Sequence, residues 1–292
     1  MNVAILSART GWHTDELLRA LSARGHVGSV VPYETLHARL GARAALSSGS
    51  EQLLESDAVL ARIIPNGSLE QIIYRLDTLH WLEDRGVPVV NSPRAIERCV
   101  DKFYTSALLH ESGIATPETI VCERADDALS AVRELGDVVI KPLFGSMGHG
   151  MVRVSDPEIA FRVARALEMT RSVFYVQRFV EHDGYDVRAF VVGDSVVAAM
   201  ERRARDDGWR TNISLGGDAR ALDLSPEMTD LALRAARAVG ADYAGVDLLP
   251  ARDGTVYVLE VNGIPGWSGV QATTSVDIAG AIVDRLATKR RA

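Results

Sequence analysis

The chain has 292 residues, 47% hydrophobic and 24% charged, which is enough for two or three domains with substantial cores. Its formal net charge of −7 argues against a nucleic-acid binder, which is usually basic. No apolar run approaches the ~20 residues that span a membrane, and the start, MNVAILSARTG, lacks the charged beginning and long apolar core of a signal peptide. Cys99 and Cys122 have no metal-ligand spacing and read as inert thiols of a cytoplasmic protein.

In chain order, NVAILS reads as a strand, followed by the helix DELLRALSAR, capped by Thr14 or Asp15 and closed by Gly25. HVGSVVP, DAVLARI and VPVVN are further strands, with the long amphipathic helix SLEQIIYRLDTLHWLEDRG before the last of them. This alternation predicts a parallel sheet with helices on its faces. Asn91-Ser92-Pro93 then marks a break, giving an N-terminal α/β domain over 1–92.

Beyond the break the pattern becomes α+β on antiparallel sheets. A helical segment, RAIERCVDKFYTSALLHESG, leads to the strand ETIVC, the helix DDALSAVRELG and the strand DVVIKPL. A glycine-rich loop follows, then MVRVS, a helix from Asp156 to Met169 and the strand VFYVQRFV. Two hairpins and helices around 225–239 and 277–290 complete the chain. We divide this part into a central subdomain, 93–180, and a C-terminal one, 181–292.

The loop KPLFGSMGHG carries glycines at 145, 148 and 150, whose backbone N–H groups can approach phosphate oxygens. It is neither a Walker A loop nor a dinucleotide fingerprint, since no Gly-Lys-Ser/Thr closes it and a strand follows it. A plain hairpin connection is the competing reading. Lys141 at the end of DVVIK is either a phosphate contact or a solvated strand-end lysine.

Two hairpins can be put in register. In GVDLLPARDGTVYVLEVNG, a turn at Asp253-Gly254 sets Asp247 opposite Glu260, with Asn262 farther along the same face. Two opposed carboxylates between apolar flanks repel unless a cation joins them, and two carboxylates with an amide suit Mg²⁺; a solvent-facing pair at a hairpin edge is the competing reading, which the apolar flanks disfavour. In DVRAFVVGDSVVAAMERR, a turn at Gly193-Asp194 places Asp186, Arg188, Glu201 and Arg203 on one face and Arg202 on the other. That cluster is either an ion-pair ladder or a binding surface for ribose and phosphate.

Taken in order, NSPRAIERCVDKFYTSALL, VVIKPLFGSMGHGM, YVQRFV, DVRAFVVGDSVVAAMERRA, WRTNISLGG and YAGVDLLPARDGTVYVLEVNGIPGW resemble the ATP-grasp ligases, and within them the RimK-type α-L-glutamate ligases. The resemblance implies an ATP-grasp fold behind an N-terminal pre-ATP-grasp domain, with the glycine loop as a lid over ATP. It implies that Lys102 and Lys141 contact phosphates, that Gln177, Arg178 and Phe179 line the adenine hinge, and that Asp186 holds the ribose. It implies too that Arg210 and Asn212 reach the phosphate end and that Asp247, Glu260 and Asn262 carry Mg²⁺, two ions in all, for which Mn²⁺ can substitute.

The implied chemistry is ATP-dependent amide formation through an acyl phosphate, with Arg188, Arg203 and Arg210 as candidates to steady that intermediate. NGIPGW and the early GSLEQIIYRLD look closer to relatives that add L-glutamate to a tetrahydromethanopterin-type cofactor than to the ribosomal-protein-modifying members. Extension of a protein C-terminus or a carrier protein, and a silent ATP-binding regulatory module, are the competing readings. A homo-oligomer is left open. Trp209 and Trp267 are expected either to flank the acceptor together or to fill core.

Overall fold

A computed structural model of the chain describes residues 1–145, 150–204, 209, 211 and 218–289. The N-terminal part contains β1 (Asn2–Leu6), α1 (Trp12–Ala23), β2 (Val27–Val31), β3 (Leu36–Arg39), β4 (Ala45–Ser48), β5 (Glu51–Gln52), β6 (Ala58–Ala61), α2 (Leu69–Asp84) and β7 (Val89–Val90). Strands β2-β1-β6-β7 form the expected parallel sheet. Its central strands read as unbroken apolar runs because both faces are covered. Val3, Ile5, Ala58 and Leu60 pack on one side with α1, while Ala4, Leu6, Val59 and Ala61 pack on the other with α2. The small antiparallel sheet β3-β4-β5 was not anticipated from the sequence; its strands are too short and polar to show a period.

Next come α3 (Pro93–Val100), α4 (Lys102–Glu111), β8 (Thr119–Cys122), α5 (Ala125–Leu135), β9 (Val138–Lys141), β10 (Val152–Val154), α6 (Pro157–Met169) and β11 (Phe174–Arg178). Ser92 caps α3 through its hydroxyl, with Pro93 at the first turn where its missing N–H costs nothing. The single helix expected after the break is two, because Asp101 leaves helical geometry and its carboxylate caps α4 at Tyr104 N. Lys102 is thereby the first residue of a helix. Strands β10-β9-β11-β8 make an antiparallel sheet against α5 and α6.

The remainder is β12 (Tyr185–Val192), β13 (Ser195–Arg203), β14 (Asp218–Ala221), α7 (Pro226–Val239), β15 (Tyr243–Pro250), β16 (Val256–Asn262), α8 (Ser268–Gln271) and α9 (Ile278–Ala287). The antiparallel sheet β14-β13-β12-β15-β16 packs one face on α7 and turns the other toward the rest of the molecule. That second face shares a core with the N-terminal sheet, joining Phe190, Met200, Tyr243 and Trp267 to Ile5, Leu17 and Leu60. Buried Asn91 crosses the seam: its Oδ1 accepts from Asp242 N at 2.6 Å and from Tyr243 N at 3.1 Å, and its Nδ2 donates to the carbonyls of Tyr243 and Gly263. Among the described residues, no helix is long and apolar enough to cross a membrane.

Candidate active site

One cleft lies between the β8–β11 sheet and the inner face of the β12–β16 sheet. Lys102, Lys141, Gln177, Arg178, Phe179, Asp186, Asp247 and Glu260 line it, so eight residues singled out from separate stretches of sequence converge. Arg210 and Asn212 lie outside the described residues, as does Gly148.

Asp247 and Glu260 are directly opposed across β15 and β16, as the register predicts. The route to that pairing differs from the expectation. The connection is a five-residue turn, closed by Ala251 N to Thr255 O, and β16 carries an extra residue, Leu259, that restores the alignment. Two departures from an ideal two-residue hairpin cancel. With its amide turned to satisfy its neighbours, Asn262 donates from Nδ2 to Glu260 Oε1 at 3.2 Å and accepts at Oδ1 from Arg188 Nη2 at 3.2 Å.

The other hairpin is corrected. Near its turn the expected pairs hold, but Val197 is an extra residue on β13 and shifts everything beyond it by one position. Asp186 therefore faces Arg202, not Glu201, and Arg202 lines the cleft. Arg203 and Glu201 go to the opposite face, where Glu201 pairs with Arg203 at 2.9 Å and Arg220 at 2.8 Å. A bulge inside a hairpin leaves no mark on an alternating Val/Ala run, which is why the register failed there.

The charges of the cleft sort into two unequal carboxylates. Asp247 receives both arms of Arg188, at 2.7 and 2.8 Å, and Arg202 Nη2 at 3.1 Å. Burial opposes its ionisation, but the two guanidinium groups outweigh burial and hold its pKa low. Glu260 forms no ion pair among the described residues. Burial, and then the Asp247 carboxylate, push its pKa up, with Lys102, Arg188 and Lys141 only partly offsetting them. An oxygen-lined carboxylate pair with one member lacking a counter-charge fits a hard divalent cation such as Mg²⁺.

On the opposite wall, Lys141 Nζ donates to Gln177 Oε1 at 2.6 Å, while Gln177 Nε2 donates to Thr119 Oγ1 and Tyr175 Oη. Burial lowers the pKa of Lys141 to about 8, with Lys102 adding to the fall and Glu260 opposing it. Lys102 is lowered by burial too, and it donates to the carbonyls of Leu143 and Gly145 at the start of the glycine loop. Gln177 thus acts through its side chain as the prop of Lys141, a role beyond the backbone contact expected of it. Arg178 turns its guanidinium away to Glu118 and the Leu135 carbonyl.

Backbone N–H groups of Arg178 and Phe179 are already spent on Glu118 O and Asp137 O, both at 2.8 Å. Val180, which also lines the cleft, makes no backbone hydrogen bond among the described residues. Sequence reasoning missed Val180, His182 and Arg202. Only Arg202 had a signal, in the paired arginines of ERRA, and the register error hid it.

The two indoles separate. Trp209 lines the cleft edge-on to Phe179, with ring centroids 6.1 Å apart. Trp267 is 0% exposed in the shared core, below the Arg62 guanidinium and against His13, whose Nε2 accepts from Trp267 N at 3.0 Å. It is core, not an acceptor wall. Trp267→Leu is therefore expected to cost roughly 1–3 kcal/mol of stability, with substrate KM values unchanged in the folded fraction; a melting curve and steady-state kinetics check this together.

Residues 1–96 match the RimK pre-ATP-grasp domain and residues 99–286 the RimK-like ATP-grasp domain. The chain is 34% identical to the tetrahydromethanopterin:alpha-L-glutamate ligase of Methanococcus maripaludis, over 97% of both proteins. It is 36% identical to the "Probable alpha-L-glutamate ligase" of Xanthomonas campestris pv. campestris, over 98% of both. Among solved structures it superposes on the RimK domain ATP-grasp protein of Sphaerobacter thermophilus with a TM-score of 0.73 at 26% identity, covering 98% of this chain and 100% of that one. The ATP-grasp ligase PsnB, complexed with a minimal precursor, shares the fold with a TM-score of 0.79 at 24% identity, over 98% of both. A cleft that gathers two lysines against an opposed carboxylate pair, in a chain matched along nearly its whole length, identifies this protein as a member of the RimK-like ATP-grasp ligase family.

Proposed function

We propose that the chain is an ADP-forming ligase that joins L-glutamate to a carboxylate of a small cofactor of the tetrahydromethanopterin type. The observation that carries the ligase reading is the opposition of Asp247 and Glu260 in the same cleft as Lys102 and Lys141. The acceptor class rests on the 34% identity to the methanogen enzyme along the whole chain.

In this reading the hinge at Arg178–Val180 receives adenine, Asp186 the ribose, and the two lysines the phosphates. Asp247, Glu260 and Asn262 would hold Mg²⁺, which when bound would supply positive charge to the transferred phosphoryl group; the reading takes two ions, for which Mn²⁺ would substitute. The acceptor carboxylate oxygen attacks the γ-phosphorus and ADP leaves. The amine of glutamate then attacks the acyl carbon, forming the C–N bond as phosphate departs. Arg188, which holds both oxygens of Asp247, and Arg210 are the candidates to steady the acyl phosphate; Arg203, on the opposite face, has no part in this reading. The lysines act by charge and position, so no nucleophilic side chain is required.

The partners are the small acceptor and glutamate in a reducing cytoplasm, without nucleic acid or membrane, and a homo-oligomer is compatible with them. A second reading, glutamylation of a peptide or protein end, is favoured by one fact: PsnB was solved with precursor peptides. ADP release is to be measured with L-glutamate and a panel of pterin cofactors, glutamate-ended peptides and carrier proteins. Release that depends jointly on glutamate and a pterin supports the first reading, and dependence on a peptide transfers support to the second. AMP and pyrophosphate as products would sink both.

A further inference from the structure

The most heavily committed group in the cleft is Arg202. It is 3% exposed and serves two carboxylates at once. Its Nε donates to Asp186 Oδ1 at 2.7 Å and its Nη2 to Asp186 Oδ2 at 2.5 Å, while the same Nη2 lies 3.1 Å from Asp247 Oδ2. Arg188 takes both oxygens of Asp247 from the other side. A carboxylate offers about four lone-pair sites, and the three contacts made by the arginines use most of those on Asp247.

Glu260, directly across, has no such escort among the described residues. A cation bridging the two carboxylates must therefore share Asp247 with one guanidinium and lie close to a second. In a partly enclosed cleft that repulsion is substantial, since charge interactions there are stronger than in water. A polyphosphate beside Lys141 and Lys102 reverses the balance by adding several negative charges to the same space.

We propose that Arg202 is a resident counter-ion on Asp247 that makes the metal site depend on nucleotide: it holds the carboxylate in place, and yields it to a divalent cation only when a nucleotide is present. Its second carboxylate gives the coupling a route. Asp186 is the ribose-side acid, so hydroxyl groups that engage Asp186 act on the guanidinium that also holds Asp247. Arg202 is in this sense a positioning residue, acting through Asp247. The inference rests on reading Asp247 and Glu260 as metal carboxylates, and the experiment keeps the two failures apart.

The test is Mn²⁺ binding to the full chain, followed by the loss of the free-ion electron paramagnetic resonance signal, with and without a non-hydrolysable ATP analogue, each read against the same mixture without protein because the analogue itself binds Mn²⁺. The wild type is expected to take up Mn²⁺ at this site far more tightly with the analogue. Arg202→Gln is expected to tighten nucleotide-free Mn²⁺ binding by about tenfold or more, as removal of one nearby positive charge should, and to shrink the gain from nucleotide. A purely structural role predicts the opposite sign, because a distorted site binds metal less well. Arg202→Gln leaves Asp186 buried without its partner, so Arg202→Lys, which keeps the charge but loses the fork, is measured beside it and decides if the first does not fold. For Arg202→Lys the expected result is the same direction at smaller size, because a single ammonium cannot serve Asp186 and Asp247 at once as the fork does. Unchanged or weaker nucleotide-free affinity in a folded variant overturns the proposal. Failure of the wild type to bind Mn²⁺ even with the analogue overturns the metal reading beneath it.

Discussion

Glu260→Gln is expected to lower kcat by at least about 100-fold, in the range seen when charge-stabilising groups are lost, while the melting temperature holds or rises. The reasoning begins with position: Glu260 faces Asp247 across two strands and forms no ion pair among the described residues. Burial and that neighbouring carboxylate raise its pKa, which means that the ionised form is an electrostatic burden on the fold. An amide of the same shape removes the burden and with it the negative charge that a divalent cation needs. Loss of function with gain of stability is the signature of a group kept for chemistry. Kinetics titrated against Mg²⁺, beside a thermal melt, give both quantities; a variant that melts lower yet turns over normally would make Glu260 a structural residue.

Lys141→Met is the second large effect. Its ammonium is held at the end of β9 by Gln177 Oε1, and burial brings its pKa to about 8. ATP phosphates should pull that pKa back up, so nucleotide binding by the wild type is expected to take up protons above about pH 8 and much less below it. Titration calorimetry in buffers of different ionisation enthalpy reads this directly. The folded pKa lies below the usual value of 10.5. Between pH 8 and 10.5 the unfolded chain thus binds more protons than the folded one, and stability rises with pH across that window. Lys141→Met should flatten that rise, remove the proton uptake and weaken ATP binding by at least about tenfold, the worth of one charged hydrogen bond. If ATP affinity survives the substitution, Lys141 does not touch phosphate.

Both variants depend on residues that were legible in the sequence, and the reasons differ. Asp247 and Glu260 announced themselves as acids inside apolar strands, and an Asp-Gly turn supplied the register. That register came out right although the turn is longer than assumed, because Leu259 compensates. Lys102 carries no local signal, and only its resemblance to a family motif drew notice; its place at a helix start follows from Asp101 acting as a cap. The exchange of Arg203 for Arg202 shows the limit of period-two reasoning: one extra residue, Val197, sends every later side chain to the other face. Trp267 illustrates another limit. Its nearness in sequence to Asn262 suggested the site, but the chain turns after Gly263 into the seam with the N-terminal sheet, where Arg62 and His13 enclose the indole.

In the proposed reaction the acceptor carboxylate is phosphorylated before the amine arrives. An acceptor carrying ¹⁸O in both carboxylate oxygens, in a complete reaction with ATP and L-glutamate, reports on that order. One ¹⁸O is expected to pass to inorganic phosphate for each amide formed, since the oxygen that attacks phosphorus leaves with it. Amide formation with unlabelled phosphate, or with the label in AMP, would contradict it.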